Sequence, residues 1–423
     1  MLDIRLIREN PDFVKQRLAT RGGALHLQID SLLEIDAARR RRETQLQQLQ
    51  GDRKRISKEI GGRKARGEDT AKIEAQVRAI GDQISELNRE ATEAEEQQRE
   101  MLLGLPNLPH DATPQGADSS QNPVVKTWGD RPQIANPLDH VKLGERLGLF
   151  DLERAAKISG SGFVCFTGAG ARLQRALINY CLDLHTREHG YIEMSPPFLV
   201  RSEALVGTTQ LPKFRDQLFH CVEDDVFLVP TAEVPVTNFH REEILSAGDL
   251  PKRYVAYTPC FRREAGAAGV GTRGMIRVHQ FDKVELVKIT MPETSFAELD
   301  SLTADAERVL QTLGLHYRIV ELCTGDVGFG SAKTYDIEVW APGQNAYLEV
   351  SSCSNFTDFQ ARRMNLRFKD ADGKNRFCHT LNGSGTAMPR LYVALLETYQ
   401  QPDGSVLVPE PLRSYLDAEW LGR

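Results

Sequence analysis

Two runs of residues spaced alternately three and four apart occupy most of positions 32–101, and they limit the fold more than any other feature. In the second run Ile73, Val77, Ile80, Ile84, Leu87, Ala91, Ala94, Gln98 and Met101 fall on one helical stripe. The first run keeps the spacing with Leu32, Ile35, Leu46, Leu49, Ile56 and Ile60, but Arg39, Arg42 and Arg53 interrupt it. Between them, "GGRKARGEDT" predicts a helix break at Gly61, Gly62 and Gly67, with Asp69 or Thr70 able to cap the next helix. The pattern predicts an antiparallel coiled-coil arm of two helices, roughly 50 Å long at ~1.5 Å rise per residue.

Charge on the arm is uneven. Residues 51–66 hold seven Lys or Arg against two acids, and residues 82–100 hold seven acids against two Arg. Charge runs usually mark a solvated surface with pairing between helices. A basic, glycine-loosened tip also suits a phosphate backbone, so Arg53, Lys54, Arg55, Lys58, Arg63, Lys64 and Arg66 are candidate nucleic-acid contacts. The whole chain, at a formal charge of −6, gives no such signal, so a nucleic-acid partner requires this local patch.

Composition shifts near residue 105 into the connector "GLPNLPHDATPQGADSSQNP". We place the domain boundary there, with an arm over 1–110 and a second domain over 111–423. The second part alternates short strands with a few helices. "YDIEVW" and "AYLEVSS" flank a Pro-Gly turn at 342–343, "ARLQRALINYCLDLHTREH" has helical period, and a last helix follows Pro389. Tight turns between strands predict an α+β domain with an antiparallel sheet flanked by helices. Seven scattered cysteines without a CxxC pair fit a reducing cytoplasm. The N-terminus "MLDIRLIREN" lacks the apolar core of a secretory signal, and no stretch is long and apolar enough to predict a membrane span.

Three motifs compete for attention. "GDVGFGSAKT" has Gly325 and Gly330 at phosphate-loop spacing, but Ser331 stands where lysine is required. "GAGAR" lacks the third glycine of a dinucleotide fingerprint. "HTREH" places His185, Glu188 and His189 in the H-x-x-E-H pattern of inverted zinc proteases, without an evident third ligand. Histidines at a helix C-terminus also have a plain electrostatic reason to be there.

The stretch "FRREAGAAGVGTRGMIRVHQF" (261–281) reads as two strand ends around a glycine-rich turn, with Arg262, Arg263, Arg273 and Arg277 gathered on it. It resembles motif 2 of the class II aminoacyl-tRNA synthetases. "GYIEMSPPFLV" (190–200) resembles their motif 1, a helix followed by a strand with Pro197 at the dimer contact. "GSGTAMPRLYVALLE" (383–397) resembles motif 3, a glycine-rich strand followed by Arg390 on a helix. With "TAE" (231–233), "EVSSCSNFTDFQARRM" (349–364) and the helical arm, the resemblance narrows to bacterial-type seryl-tRNA synthetases and covers essentially the whole chain.

That resemblance implies a homodimeric ligase. Such an enzyme would activate L-serine with ATP and transfer the seryl group to tRNA(Ser), and by the same resemblance to tRNA(Sec), with the arm binding the tRNA. Arg262 is implied at the α-phosphate, with Arg277 and Arg390 at the outer phosphates. Phe281 would stack under adenine, Glu264 would read its amino group, and Val278 would line the site by its backbone; Arg263, Val350 and Ser351 complete the implied ATP set. Glu349 and Ser352 are implied to hold Mg2+. Leu348 and Val350 would face away from Glu349 by strand alternation. Thr231, Ala232, Glu233, Arg262, Glu285 and Ser384 match the family's serine positions. Serine is too small for apolar fit to identify, so its hydroxyl must be recognised by hydrogen bonds. Arg263, where the family more often has a small residue, Gly162, where arginine is common, and the spacing of "TAMPR" depart from the pattern. A synthetase-like ligase of a carrier protein and a non-catalytic tRNA-binding relative remain as rivals.

Overall fold

The computed structural model describes residues 1–265 and 274–422. The chain divides into one unit of Leu2–Pro106 and another of Asn107–Arg423 with Met1.

In the first unit, short helices Ile4–Glu9 and Pro11–Ala19 precede helices α1 (Gln28–Ala65) and α2 (Ala71–Gly104). Those two pair along the predicted seam, where Ile56, Ile80 and Ile84 are buried and Leu46, Leu49, Ile60, Ile73 and Val77 pack around them. The helix break is not at Gly61 and Gly62, as the sequence predicts. The helix continues through both, because a glycine costs a helix only about 1 kcal/mol relative to alanine and does not forbid it. It ends where Gly67 takes a left-handed backbone conformation, with φ +73°. There Gly67 N–H reaches Lys64 O and Glu68 N–H reaches Arg63 O, satisfying the last carbonyls. Asp69, one residue before the cap position, accepts from Ala71 N–H at 2.9 Å. The interrupting arginines differ in setting: Arg39, largely buried, pairs with Glu43 of its own helix, Arg42 pairs with Glu90 of the facing helix at 2.8 Å, and the Arg53 guanidinium lies over Gly81.

The second unit is built on an eight-stranded sheet. Its strands in chain order are β1 (Val124–Trp128), β2 (Ile192–Met194), β3 (Lys252–Phe261), β4 (Gln280–Thr290), β5 (Tyr317–Glu321), β6 (Lys333–Ala341), β7 (Ala346–Asn355) and β8 (His379–Ala387). The spatial order is β1-β5-β6-β7-β8-β4-β3-β2, with every pair antiparallel except β2 with β3. Helices α3 (Gly168–Arg187), α4 (Ser295–Thr312) and α5 (Met388–Tyr399) share one apolar core with it. On β4, Val284 and Leu286 enter that core, which leaves Lys283 and Glu285 on the opposite side. No described helix is long and apolar enough to cross a membrane.

Candidate active site

A cavity of about 1150 Å³ opens on the side of the sheet opposite that core. Four arginines line it, Arg318 of β5 together with Arg262, Arg277 and Arg390. Arg262 follows the last residue of β3, where its Nε donates to Pro230 O at 3.3 Å and its guanidinium lies 5.1 Å from the Phe281 ring. Arg277 stands on the returning limb and pairs with Glu264 at 2.8 Å. Glu264 has φ +48°, a strained conformation for a residue with a side chain. Arg390 sits in the first turn of α5, placed by the Pro389 start that suits a helix N-terminus. Its Nη1 donates to Glu349 O at 2.7 Å and its Nε to Ile276 O at 3.4 Å, so one guanidinium ties β7 to the returning limb. Arg273 lies outside the described residues.

Glu349 and Ser352 both line the cavity, which plain alternation forbids for positions three apart. The register explains it. Glu338 pairs with Glu349 but Ile337 pairs with Ser351, so Val350 is an extra residue in β7. The bulge turns Val350 and Ser351 both toward the interior and resets the parity, so Ser352 emerges beside Glu349. A second bulge on β8 does the same around Gly385, because Val284 pairs with Thr386 and Glu285 with Ser384. Beside Glu349, burial and the neighbouring carboxylate push the Asp336 carboxyl well above the usual range.

Two further carboxylates, Glu285 and Glu233, line the same cavity. Glu285 accepts from Asn382 Nδ2 at 2.7 Å and Ser384 Oγ at 3.3 Å, and pairs with Lys283 Nζ at 2.7 Å. Glu233 begins a short helix (Glu233–Thr237), with its N–H held by Thr231 Oγ1 at 3.2 Å. Burial first, then the charge of Glu285, push its carboxyl up to about 7, partly opposed by a hydrogen bond from Gln360.

The structure therefore brings Arg262, Arg277, Arg390, Glu264, Val278 and Phe281 together with Glu349, Val350 and Ser352. Thr231, Glu233, Glu285 and Ser384 join them. Three sequence candidates do not line the cavity. Ala232 packs with Val236, Tyr254 and Val287, Ser351 turns its Oγ toward Cys353 Sγ at 3.4 Å, and the Arg263 guanidinium lies 5.9 Å from the Phe219 ring. His185 is buried and its ring is pushed down to about 3, by burial first and then by His189, 3.0 Å away between Nδ1 atoms. Gly162 has φ +81°, and a side chain there would meet the His279 ring at 2.7 Å.

Sequence reasoning missed a supporting hub. Glu397 is fully buried on α5 and accepts from His140 N–H, Gly343 N–H and Gln344 N–H at 2.8–3.1 Å. His140, which also meets Glu397 through Nδ1, accepts from Met275 N–H at 3.3 Å and so anchors the limb bearing Arg277. The signal was a glutamate inside the apolar run "RLYVALLETYQ".

Comparison with known proteins agrees with this layout. Residues 219–399 match the tRNA synthetase class II core domain (G, H, P, S and T), and residues 1–109 match the seryl-tRNA synthetase N-terminal domain. A serine–tRNA ligase of Akkermansia muciniphila is 61% identical over 99% of this chain and 98% of its own length. The chain belongs to the serine–tRNA ligase family. It is therefore an aminoacyl-tRNA ligase. A serine–tRNA ligase of Methylacidiphilum infernorum is 52% identical over the full length of both chains. Among solved structures, seryl-tRNA synthetase from Pyrococcus horikoshii complexed with ATP matches with a TM-score of 0.94 and 39% identity, covering 100% of this chain and 99% of that one.

Proposed function

We propose that this family member activates L-serine with ATP and passes the seryl group to tRNA(Ser), and by resemblance to tRNA(Sec), as a cytoplasmic homodimer. The observation that carries the reading is the convergence of Arg262, Arg277 and Arg390 with Glu349, Glu233 and Glu285 on one cavity. The serine carboxylate attacks the α-phosphorus of ATP, the bond to the β-phosphate breaks, and pyrophosphate leaves. A hydroxyl of the terminal tRNA ribose then attacks the seryl carbonyl and AMP leaves. In the first step an anion approaches an anion, so guanidinium groups already in place lower the barrier most where charge accumulates. Arg262 is assigned to the α-phosphate, Arg277 and Arg390 to the outer phosphates, and Phe281 to the adenine face.

Glu233 faces the serine ammonium, and Glu285 with Ser384 faces the hydroxyl. Alanine leaves those buried polar groups unpaired, which is how a small substrate is rejected. Glu349 and Ser352 are an oxygen-only pair beside Asp336 Oδ1, a buried atom with no partner among the described groups, and such a set suits Mg2+. Those two residues would hold the ion, which when bound offsets phosphate charge. The dimer reading is supported by Ile192, Phe198 and Leu199, large apolar side chains exposed in the motif 1 region.

Serine-dependent exchange of labelled pyrophosphate into ATP tests the assignment. Wild-type protein should exchange with serine and not with alanine, and Arg262→Ala should lower the rate by about 10²- to 10³-fold, the usual loss for one transition-state donor. No exchange with any amino acid would refute it.

A further inference from the structure

Behind Glu233 lies a chain of two buried polar side chains that do not line the cavity. Gln360 Nε2 donates to Glu233 Oε1 at 2.7 Å, and Thr380 Oγ1 donates to Gln360 Oε1 at 2.7 Å. Gln360 is 1% exposed and Thr380 is fully buried. They come from different elements, Gln360 from the helix Phe359–Met364 and Thr380 from β8.

A glutamine amide is nearly symmetric in shape, so packing alone does not choose between its two flips. Only one flip points N–H at the carboxylate; the other sets oxygen against oxygen. The acceptor-only carboxylate selects that flip, and the Thr380 hydroxyl supports it by donating to the Oε1 that faces away from Glu233. We infer that Thr380 and Gln360 are positioning residues that fix the Glu233 carboxylate in the orientation and charge state that receives the serine ammonium.

The inference rests on the assignment of Glu233 to serine. Its surroundings make such support necessary. Glu285 on β4 repels the Glu233 charge, while Lys283 on β4 and Arg262 beyond β3 favour it. Burial opposes ionisation, and the Gln360 amide is the hydrogen-bond donor that counters it. Unlike the two cations, it touches Glu233 directly, so losing it removes both orientation and stabilisation of charge.

The test is pyrophosphate exchange by full-length Thr380→Val, Thr380→Ser, Gln360→Met and Glu233→Gln proteins, with KM measured separately for serine and ATP from pH 6 to 8. Thr380→Val and Gln360→Met should raise the serine KM by about tenfold, the scale of one hydrogen bond to a charged group, and leave the ATP KM unchanged. They should also move the pH dependence of the serine KM to higher pH. Thr380→Ser, which keeps the hydroxyl, should restore the wild-type serine KM and pH profile. If Glu233→Gln raises the serine KM but Thr380→Val and Gln360→Met do not, the positioning role is overturned and the serine site stands. If Glu233→Gln leaves the serine KM unchanged, the assignment of Glu233 falls and the positioning role falls with it. Equal rises in both KM values, unrelieved in Thr380→Ser, would mean general damage to the fold and would also overturn the inference.

Discussion

In its proposed role Glu233 must be negative to hold the serine ammonium, yet burial and Glu285 both resist the charge and push its carboxyl up to about 7. The sign follows from the raised value. Below it the group is mostly protonated in the free protein, and binding the serine ammonium must first expel that proton. As pH rises through about 7, the carboxylate is already formed. Serine KM should therefore fall by about tenfold between pH 6 and pH 8, since one pH unit below the midpoint is tenfold in the ionised fraction. The ATP KM should not follow it. Glu233→Gln should flatten the profile at a high KM, and a wild-type serine KM independent of pH would refute the assignment. Single residues were legible to different depths. Arg262, Arg390 and Glu349 stand in motif positions and meet as the resemblance implies, whereas Gln360 and Thr380 gave no signal, because their use lies in contacts between elements distant in sequence.

Elements were legible where periodicity decides and illegible where a single residue breaks it. The heptad stripe gave α1 and α2, and the Pro-Gly turn gave β6 and β7. The bulges at Val350 and Gly385 cannot be read from alternation, since each consists of departing from it. The arm's base held a similar surprise. Asp36 on α1 is fully buried and accepts from Arg8 Nε at 2.9 Å, Arg40 Nε at 3.0 Å and Gln98 Nε2 at 3.0 Å, joining the first short helix to both long ones. Burial tends to raise its carboxyl, but the Arg8 and Gln98 bonds outweigh that and hold it below the usual range. Asp36→Ala leaves those donors without their acceptor and should cost about 1–3 kcal/mol, the scale for leaving a buried hydrogen-bonding group such as the Gln98 amide unsatisfied, since Arg8 and Arg40 are partly exposed. Limited proteolysis should then cut near the base of α1 in the variant faster than in wild type, while pyrophosphate exchange persists. Equal cleavage rates would show that the network does not hold the arm's base.

At the scale of the molecule, the proposed reading gives the arm the tRNA, and ion pairing near its tip separates free cations from those already engaged. Arg55, Arg63, Lys64 and Arg66 each pair with a carboxylate at 2.6–2.7 Å, bonding the arm to itself. Arg53, Lys54 and Lys58 are exposed, and among the described residues they have no ion pair. Releasing counterions from RNA is worth more to a cation that gives up no carboxylate in exchange, so these three should contribute most to tRNA binding. Replacing them together with glutamine should raise the tRNA KM in charging while leaving serine-dependent pyrophosphate exchange at the wild-type rate. The salt dependence makes the prediction quantitative. Each phosphate contact contributes roughly 0.7–0.9 to the slope of log affinity against log salt, so the triple variant should bind tRNA with a slope shallower by about 2–3. The slope is diagnostic because a misfolded arm weakens binding at every salt concentration, whereas loss of three cations weakens it most at low salt. An unchanged slope would place the RNA contacts elsewhere on the chain.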